Sequence, residues 1–96
     1  MRDVHQPGTV YRHFKGGTYV LLAITVDSSD PFNHDLNKVT YLSLDDGKIY
    51  DRFCGGDAGF FTLKVDNGEV TERFVPIGYA TITIDEEGKY NVIRKY

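Results

Sequence analysis

Apolar and polar residues alternate with a period of two along most of this chain, in short runs broken by clusters of glycine, aspartate and asparagine. Such alternation sends successive side chains to opposite faces of an extended backbone. It predicts strands over residues 18–26, 38–44, 48–53, 60–65, 73–77, 81–84 and 90–94. No window carries the three-to-four spacing of an amphipathic helix. Between the runs, Asp45-Asp46-Gly47 and Asp66-Asn67-Gly68 each put a glycine where a tight reversal needs positive φ, and both predict hairpins. Asp85-Glu86-Glu87-Gly88 predicts a third, between runs in which Ile82 and Ile84 alternate with Thr81 and Thr83. Residues 27–37 are polar, with Pro31 and Asn33 as breakers, and predict a long loop. Seven short strands in one chain predict an all-β domain, a barrel or a sandwich.

Length and composition narrow this picture. The chain has 96 residues, 41% hydrophobic and 26% charged, which suits one domain with its own core. Seven tyrosines and six phenylalanines supply the bulky groups that a small core needs. A single cysteine, Cys54, leaves folding independent of disulfides and fits a reducing, cytoplasmic setting. The first seven residues lack the apolar stretch of a signal peptide. The longest apolar run, from Tyr19 to Ile24, is too short to span a bilayer, so no membrane association is expected. The net charge of −3 is uneven: residues 27–72 hold ten acids against four bases, whereas residues 1–26 carry Arg2, Arg12 and Lys15 against Asp3. That balance disfavours long nucleic acid, which requires many cations along one face. It leaves room for a small anion held at one cationic spot.

The segment Tyr11-Arg12-His13-Phe14-Lys15-Gly16-Gly17 concentrates the candidate chemistry. Arg12 offers a planar fork of donors, Lys15 a mobile charge and His13 a switchable donor, while the glycines admit close backbone approach. In the plainer alternative, Tyr11 and Phe14 belong to the core, Gly16-Gly17 make a turn and the charges are solvated. In an extended strand Tyr11 and His13 share one face and Arg12 takes the other, so an anion site needs a further basic group. Arg52 is the first candidate and Arg73 the second. Cys54-Gly55-Gly56-Asp57-Ala58-Gly59 has the glycines of a phosphate loop without its Lys-Ser/Thr, and reads as a flexible connection. Cys54 with His13 or His34 has nothing in its spacing to mark a nucleophile and base. Asp27, Asp30, Asn33, His34 and Asp35 are rich in oxygen, yet Phe32 and Lys38 stand where a calcium loop needs Gly and Glu. No cofactor or metal is expected. Asp45-Asp46 and Glu86-Glu87 fall in turns, which do not shift carboxylate pKa values as acid–base catalysis requires.

The block Tyr11-Arg12-His13-Phe14-Lys15-Gly16, together with Gly8, Tyr19, Ser28, Tyr41, Arg52, Arg73-Phe74 and Ile77, resembles a bacterial family. It is the domain-of-unknown-function family number sixteen-fifty-three, whose members begin Tyr-Arg-His-aromatic-Lys-Gly. The resemblance covers residues 8–77, that is 70 of the 96. It implies a small SH3-like β-barrel, with residues 78–96 as an extra C-terminal hairpin. This chain has Asp27-Ser28-Ser29-Asp30 for the family's His-Ser-Glu-Thr, and Tyr50-Asp51-Arg52-Phe53 for its Trp-Val-Arg-Pro. The family brings no established catalytic or binding residues. The expectation is thus a non-enzymatic binding module. It would hold a small anionic or nucleotide-like ligand at Tyr11, Arg12, His13 and Lys15, with Tyr41, Tyr50 and Arg52 nearby. The alternative is a protein-interaction module or homo-oligomer that uses its aromatic face and its C-terminal edge strand.

Overall fold

A computed structural model describes residues 6–56 and 58–94. Arg2, Asp3 and Asp57, named above, and the last two residues of the C-terminal segment lie outside this description. The chain forms strands β1 (Thr9–His13), β2 (Thr18–Thr25), β3 (Lys38–Ser43), β4 (Ile49–Phe53), β5 (Leu63–Asp66), β6 (Glu69–Glu72), β7 (Phe74–Ile84) and β8 (Tyr90–Arg94). Six of them make one antiparallel sheet in the order β4-β3-β2-β1-β7-β8, and β5 and β6 pair separately as a two-stranded ribbon. The protein is therefore all-β, and its main sheet curls as a small barrel does.

Two features produce the curl. Leu22 is an extra residue on β2 between the pairs Leu21–Tyr41 and Ala23–Thr40, and Ile77 is an extra residue on β7 between Val10–Gly78 and Tyr11–Pro76. Bulges of this kind bend a strand and increase its twist. As a result the two outer hairpins approach each other, and Leu42, Ile49 and Tyr90 line a common hollow of about 450 Å³ between them.

Both faces of the sheet are covered, which explains why the central runs are continuously apolar. On the concave face Val10, Val20, Leu42 and Ala80 are buried, with Leu22, Ile77, Ile82 and Val92 packed around them. On the other face Tyr11, Leu21, Val39, Tyr41 and Phe74 form a second cluster, closed by Phe60 from the β4–β5 connection. Phe60 stacks on Phe74 with ring centroids 3.9 Å apart and meets the Tyr11 ring edge-on at 4.9 Å. Each side chain buried this fully contributes about 1.5–3 kcal/mol relative to exposure.

The three predicted hairpins are present at their predicted turns, joining β3 to β4, β5 to β6 and β7 to β8. At the second, Asn67 and Gly68 both take positive φ, 52° and 82°, the pattern of a two-residue hairpin turn. Elsewhere the boundaries differ from expectation. β1 occupies part of the block read for its chemistry, β6 was absent from the expected strands, and the two strands expected over 73–77 and 81–84 are one uninterrupted β7, which begins at Phe74. The first half of β7 pairs with β1 and its second half with β8, so the C-terminal hairpin grows out of the main sheet.

The described residues of the glycine-rich connection are tied together by backbone hydrogen bonds. The Cys54 amide donates to the Asn37 carbonyl at 2.7 Å, the Phe60 amide to the Phe53 carbonyl at 2.7 Å and the Phe61 amide to the Cys54 carbonyl at 3.1 Å. The chain doubles back on itself so closely that a Cβ on Gly59 would collide with the Gly55 carbonyl. This fold delivers Phe60 to the core.

Candidate functional site

β1 ends in a tight reversal in which the Gly16 amide donates to the His13 carbonyl and the His13 amide to the Gly17 carbonyl. Gly16 and Gly17 have φ of 95° and 84°, a left-handed backbone that other residues adopt only under strain. The reversal sets Tyr11 opposite Tyr19 on β2, while the β3–β4 hairpin sets Tyr41 opposite Tyr50. Because alternate residues share a face, Tyr11, His13, Tyr19, Tyr41, Tyr50 and Arg52 all lie on the side of the sheet that carries Phe74.

At the solvent edge of this aromatic cluster is a cleft of about 210 Å³ lined by His13, Tyr19, Tyr41, Tyr50, Arg52 and Phe74. Tyr41 and Tyr50 are stacked with centroids 5.8 Å apart and planes inclined at 25°, and Tyr19 stands edge-on to both, at 5.4 and 6.4 Å. The Tyr50 hydroxyl donates to Asp46 Oδ2 at 2.9 Å, which fixes the ring at the rim. The Lys48 amide, donating to the same carboxylate, and then the Tyr50 bond hold the Asp46 pKa below its ordinary value, and the bond raises that of Tyr50. Asp45 accepts from the Thr18 amide at 2.9 Å, tying the β3–β4 turn to β2. The carboxylates dismissed as turn formers therefore brace one wall of the cleft.

The opposite wall is cationic. The Arg52 guanidinium lies 5.3 Å from the Phe74 ring centroid and donates from Nη1 to the Ala58 carbonyl at 3.3 Å, one of its five N–H donors. His13 packs 4.7 Å from Phe74 and 4.5 Å from Phe14, and its Nδ1 accepts the Lys15 amide at 3.3 Å. The neutral ring thus carries its proton on Nε2. Burial lowers the His13 pKa first, with the charges of Arg52, Arg73 and Lys15 adding to the effect.

This depression has a sign. A histidine that resists protonation in the folded chain but accepts a proton at its ordinary 6.5 when unfolded leaves stability intact above pH 6.5 and erodes it as the pH falls below. In urea titrations between pH 8 and pH 5, His13→Asn should flatten part of the acid-side loss. An unchanged pH profile would show that the His13 environment does not set it.

Of the seven residues expected at a site, His13, Tyr41, Tyr50 and Arg52 meet in the cleft. Tyr11 does not: it is 0% exposed and belongs to the core beneath. Arg12 is exposed on the opposite face, between Thr18 and Val75. Lys15 sits in the turn with its Nζ 5.6 Å from the Phe14 ring, outside the cleft itself. Tyr19 and Phe74 are lining residues that the sequence reading left out. Register arithmetic could have found Tyr19, since a turn over residues 14–16 places it across from Tyr11; Phe74 carried no comparable signal.

Other candidate groups are engaged elsewhere. The Cys54 thiol is half-buried against the core, and burial raises its pKa. In the 27–37 loop Asp27 accepts from the amide and hydroxyl of Ser29, at 2.9 and 2.6 Å, and Asn33 caps a short 3-10 turn, His34–Leu36. Among the described residues no group of three metal-ligating side chains converges, and no helix is long and apolar enough to cross a membrane. The chain matches no protein-family model, no curated protein and no solved structure.

Proposed function

We propose that this protein is a non-enzymatic β-barrel binding module that holds a small anionic or nucleotide-like ligand in the cleft of His13, Tyr19, Tyr41, Tyr50, Arg52 and Phe74. The reading accords with the resemblance to the domain-of-unknown-function family, which brings no catalytic residues. It rests on one observation: a half-buried arginine and a histidine donor face three tyrosine rings in a cleft whose described lining contains no carboxylate. A guanidinium in such a place favours a planar or anionic partner, through charge-assisted hydrogen bonds and stacking. Tyrosine rings braced from outside supply a stacking surface that loses little freedom on binding.

Titration with nucleoside monophosphates, followed by thermal shift and by calorimetry, tests this. Ligand at about 100 times its dissociation constant adds roughly 2.7 kcal/mol of stability. Arg52→Ala and Tyr50→Ala should each weaken binding at least tenfold, about 1.4 kcal/mol. Arg12→Ala should leave it unchanged. Binding that survives both cleft substitutions would remove the cleft from consideration.

A second reading, a protein-interaction or self-assembling module, is favoured by the exposed Leu63, Val65 and Val70, which share the outer face of the β5–β6 ribbon. An apolar face turned to solvent commonly marks an interaction surface. A single monomeric species in sedimentation at high concentration would count against self-assembly.

A further inference from the structure

The cleft of about 210 Å³ is smaller than the roughly 300–1,000 Å³ of ordinary ligand sites. A second hollow, of about 280 Å³, adjoins the His13–Phe14 ring pair and is lined by Phe14, Lys64, Asn67, Glu69 and Thr71. It exists because the β5–β6 ribbon is inverted. Leu63, Val65 and Val70 are exposed on one face of the ribbon, whereas Lys64 and Thr71, on the other, line the hollow with Phe14.

Three cations converge on the Phe14 ring from three parts of the chain: Lys15 Nζ at 5.6 Å from the turn, Lys64 Nζ at 5.8 Å from β5 and the Arg73 guanidinium at 5.7 Å from the β6–β7 junction. The protein as a whole carries a net charge of −3, so this gathering runs against its overall balance. The like charges of Lys15 and Lys64 at one ring repel each other, and the ring's attraction offsets only part of that. Among the described residues neither Lys15 nor Lys64 is ion-paired. A group bearing one or two negative charges beside Phe14 would relieve the repulsion and accept several charge-assisted hydrogen bonds at once. Glu69 in the lining limits how much negative charge the hollow takes. His13 lines the first hollow and Phe14 the second, so the two hollows adjoin through this ring pair.

We propose that the two hollows form one bipartite site for a nucleoside monophosphate, with its base among Tyr19, Tyr41 and Tyr50 and its phosphate beside Phe14, held by Lys15 and Lys64. This rests on the cleft reading above and adds the second half of the ligand. Arg52 then serves the ring, by stacking and by hydrogen bonds to its edge, and the lysines serve the phosphate.

The test compares adenosine, guanosine, cytidine and uridine with their 5′-monophosphates, and with ribose 5-phosphate and inorganic phosphate, by calorimetry on the full chain. Binding is expected for the nucleotide whose base fits, at least tenfold tighter than for its nucleoside, with an advantage that shrinks as salt is raised. Lys15→Ala/Lys64→Ala should bring nucleotide affinity down to that of the nucleoside while leaving the nucleoside's own affinity intact. Amide signals of residues 14, 15 and 64 should shift with ribose 5-phosphate, and those of residues 19, 41 and 50 with the nucleoside. Equal affinity for nucleoside and nucleotide would overturn the bipartite site and leave the cleft standing. So would a nucleotide advantage that persists in the double lysine variant, because the phosphate would then be held by Arg52. No binding of any of these compounds would overturn both proposals.

Discussion

Tyr11→Ala should lower the unfolding free energy by about 3–5 kcal/mol, the cost of removing a large buried aromatic side chain. Tyr11 is fully buried, meets Phe60 edge-on at 4.9 Å and Phe74 at 6.3 Å, and sits opposite Tyr19 on the neighbouring strand. Its removal takes the floor from under the cleft and unseats the ring that closes the cluster. A chain of this length has about 5–14 kcal/mol of stability in total, so a midpoint drop of at least about 15 °C is expected. Tyr11→Phe keeps the ring and gives up only a hydroxyl bonded to Thr9, at a cost of about 1 kcal/mol. The pair of variants therefore separates a packing role from a ligand-contacting one. If Tyr11→Ala melted within a degree or two of the parent, the ring would not be core, and Tyr11 would return to the candidate site.

The second large effect is expected at Gly59. Alanine there drives its Cβ into the Gly55 backbone, which belongs to the same hydrogen-bonded connection and has nowhere to move without displacing Phe60. Overpacking against backbone of this kind costs about 1–3 kcal/mol, and here the upper end is expected because a core ring moves with it. Gly55→Ala is the informative partner. Its Cβ would run into the carboxylate of Asp35, the exposed end of a flexible side chain that can turn away, so the loss should stay below about 1 kcal/mol. Chemical denaturation of both variants checks the contrast, and equal losses would show that the connection is not held by the Gly55–Gly59 contact.

The turns made much of the fold legible. Asp45-Asp46-Gly47, Asp66-Asn67-Gly68 and the 85–88 reversal are local instructions, read by the backbone wherever they stand, and each appears as a hairpin. β6 was not legible because Glu69, Val70, Thr71 and Glu72 are all exposed, so burial imposes no alternation on them. β7 looked like two strands because Gly78 interrupts the apolar pattern. In the structure that glycine follows the Ile77 bulge, where β7 passes from pairing with β1 to pairing with β8. For the site, Arg52 was singled out by its charge, and Tyr41 and Tyr50 entered beside the resemblance, while Lys64 stayed invisible because only the inverted ribbon turns it toward Phe14. Inversion of that kind is a tertiary outcome, since Leu63, Val65 and Val70 in isolation read as an inward face.

The tyrosine cluster also makes the molecule its own optical reporter. The chain contains no tryptophan, so its ultraviolet emission comes from seven tyrosines, and four of these, Tyr11, Tyr19, Tyr41 and Tyr50, lie in or directly beneath the cleft. With Tyr19, Tyr41 and Tyr50 separated by 5.4 to 6.4 Å, excitation absorbed by one ring passes readily to the others, and the hydroxyl bonded to the Asp46 carboxylate acts as a local quencher. Whatever enters between these rings alters emission intensity and anisotropy together, in the unlabelled protein.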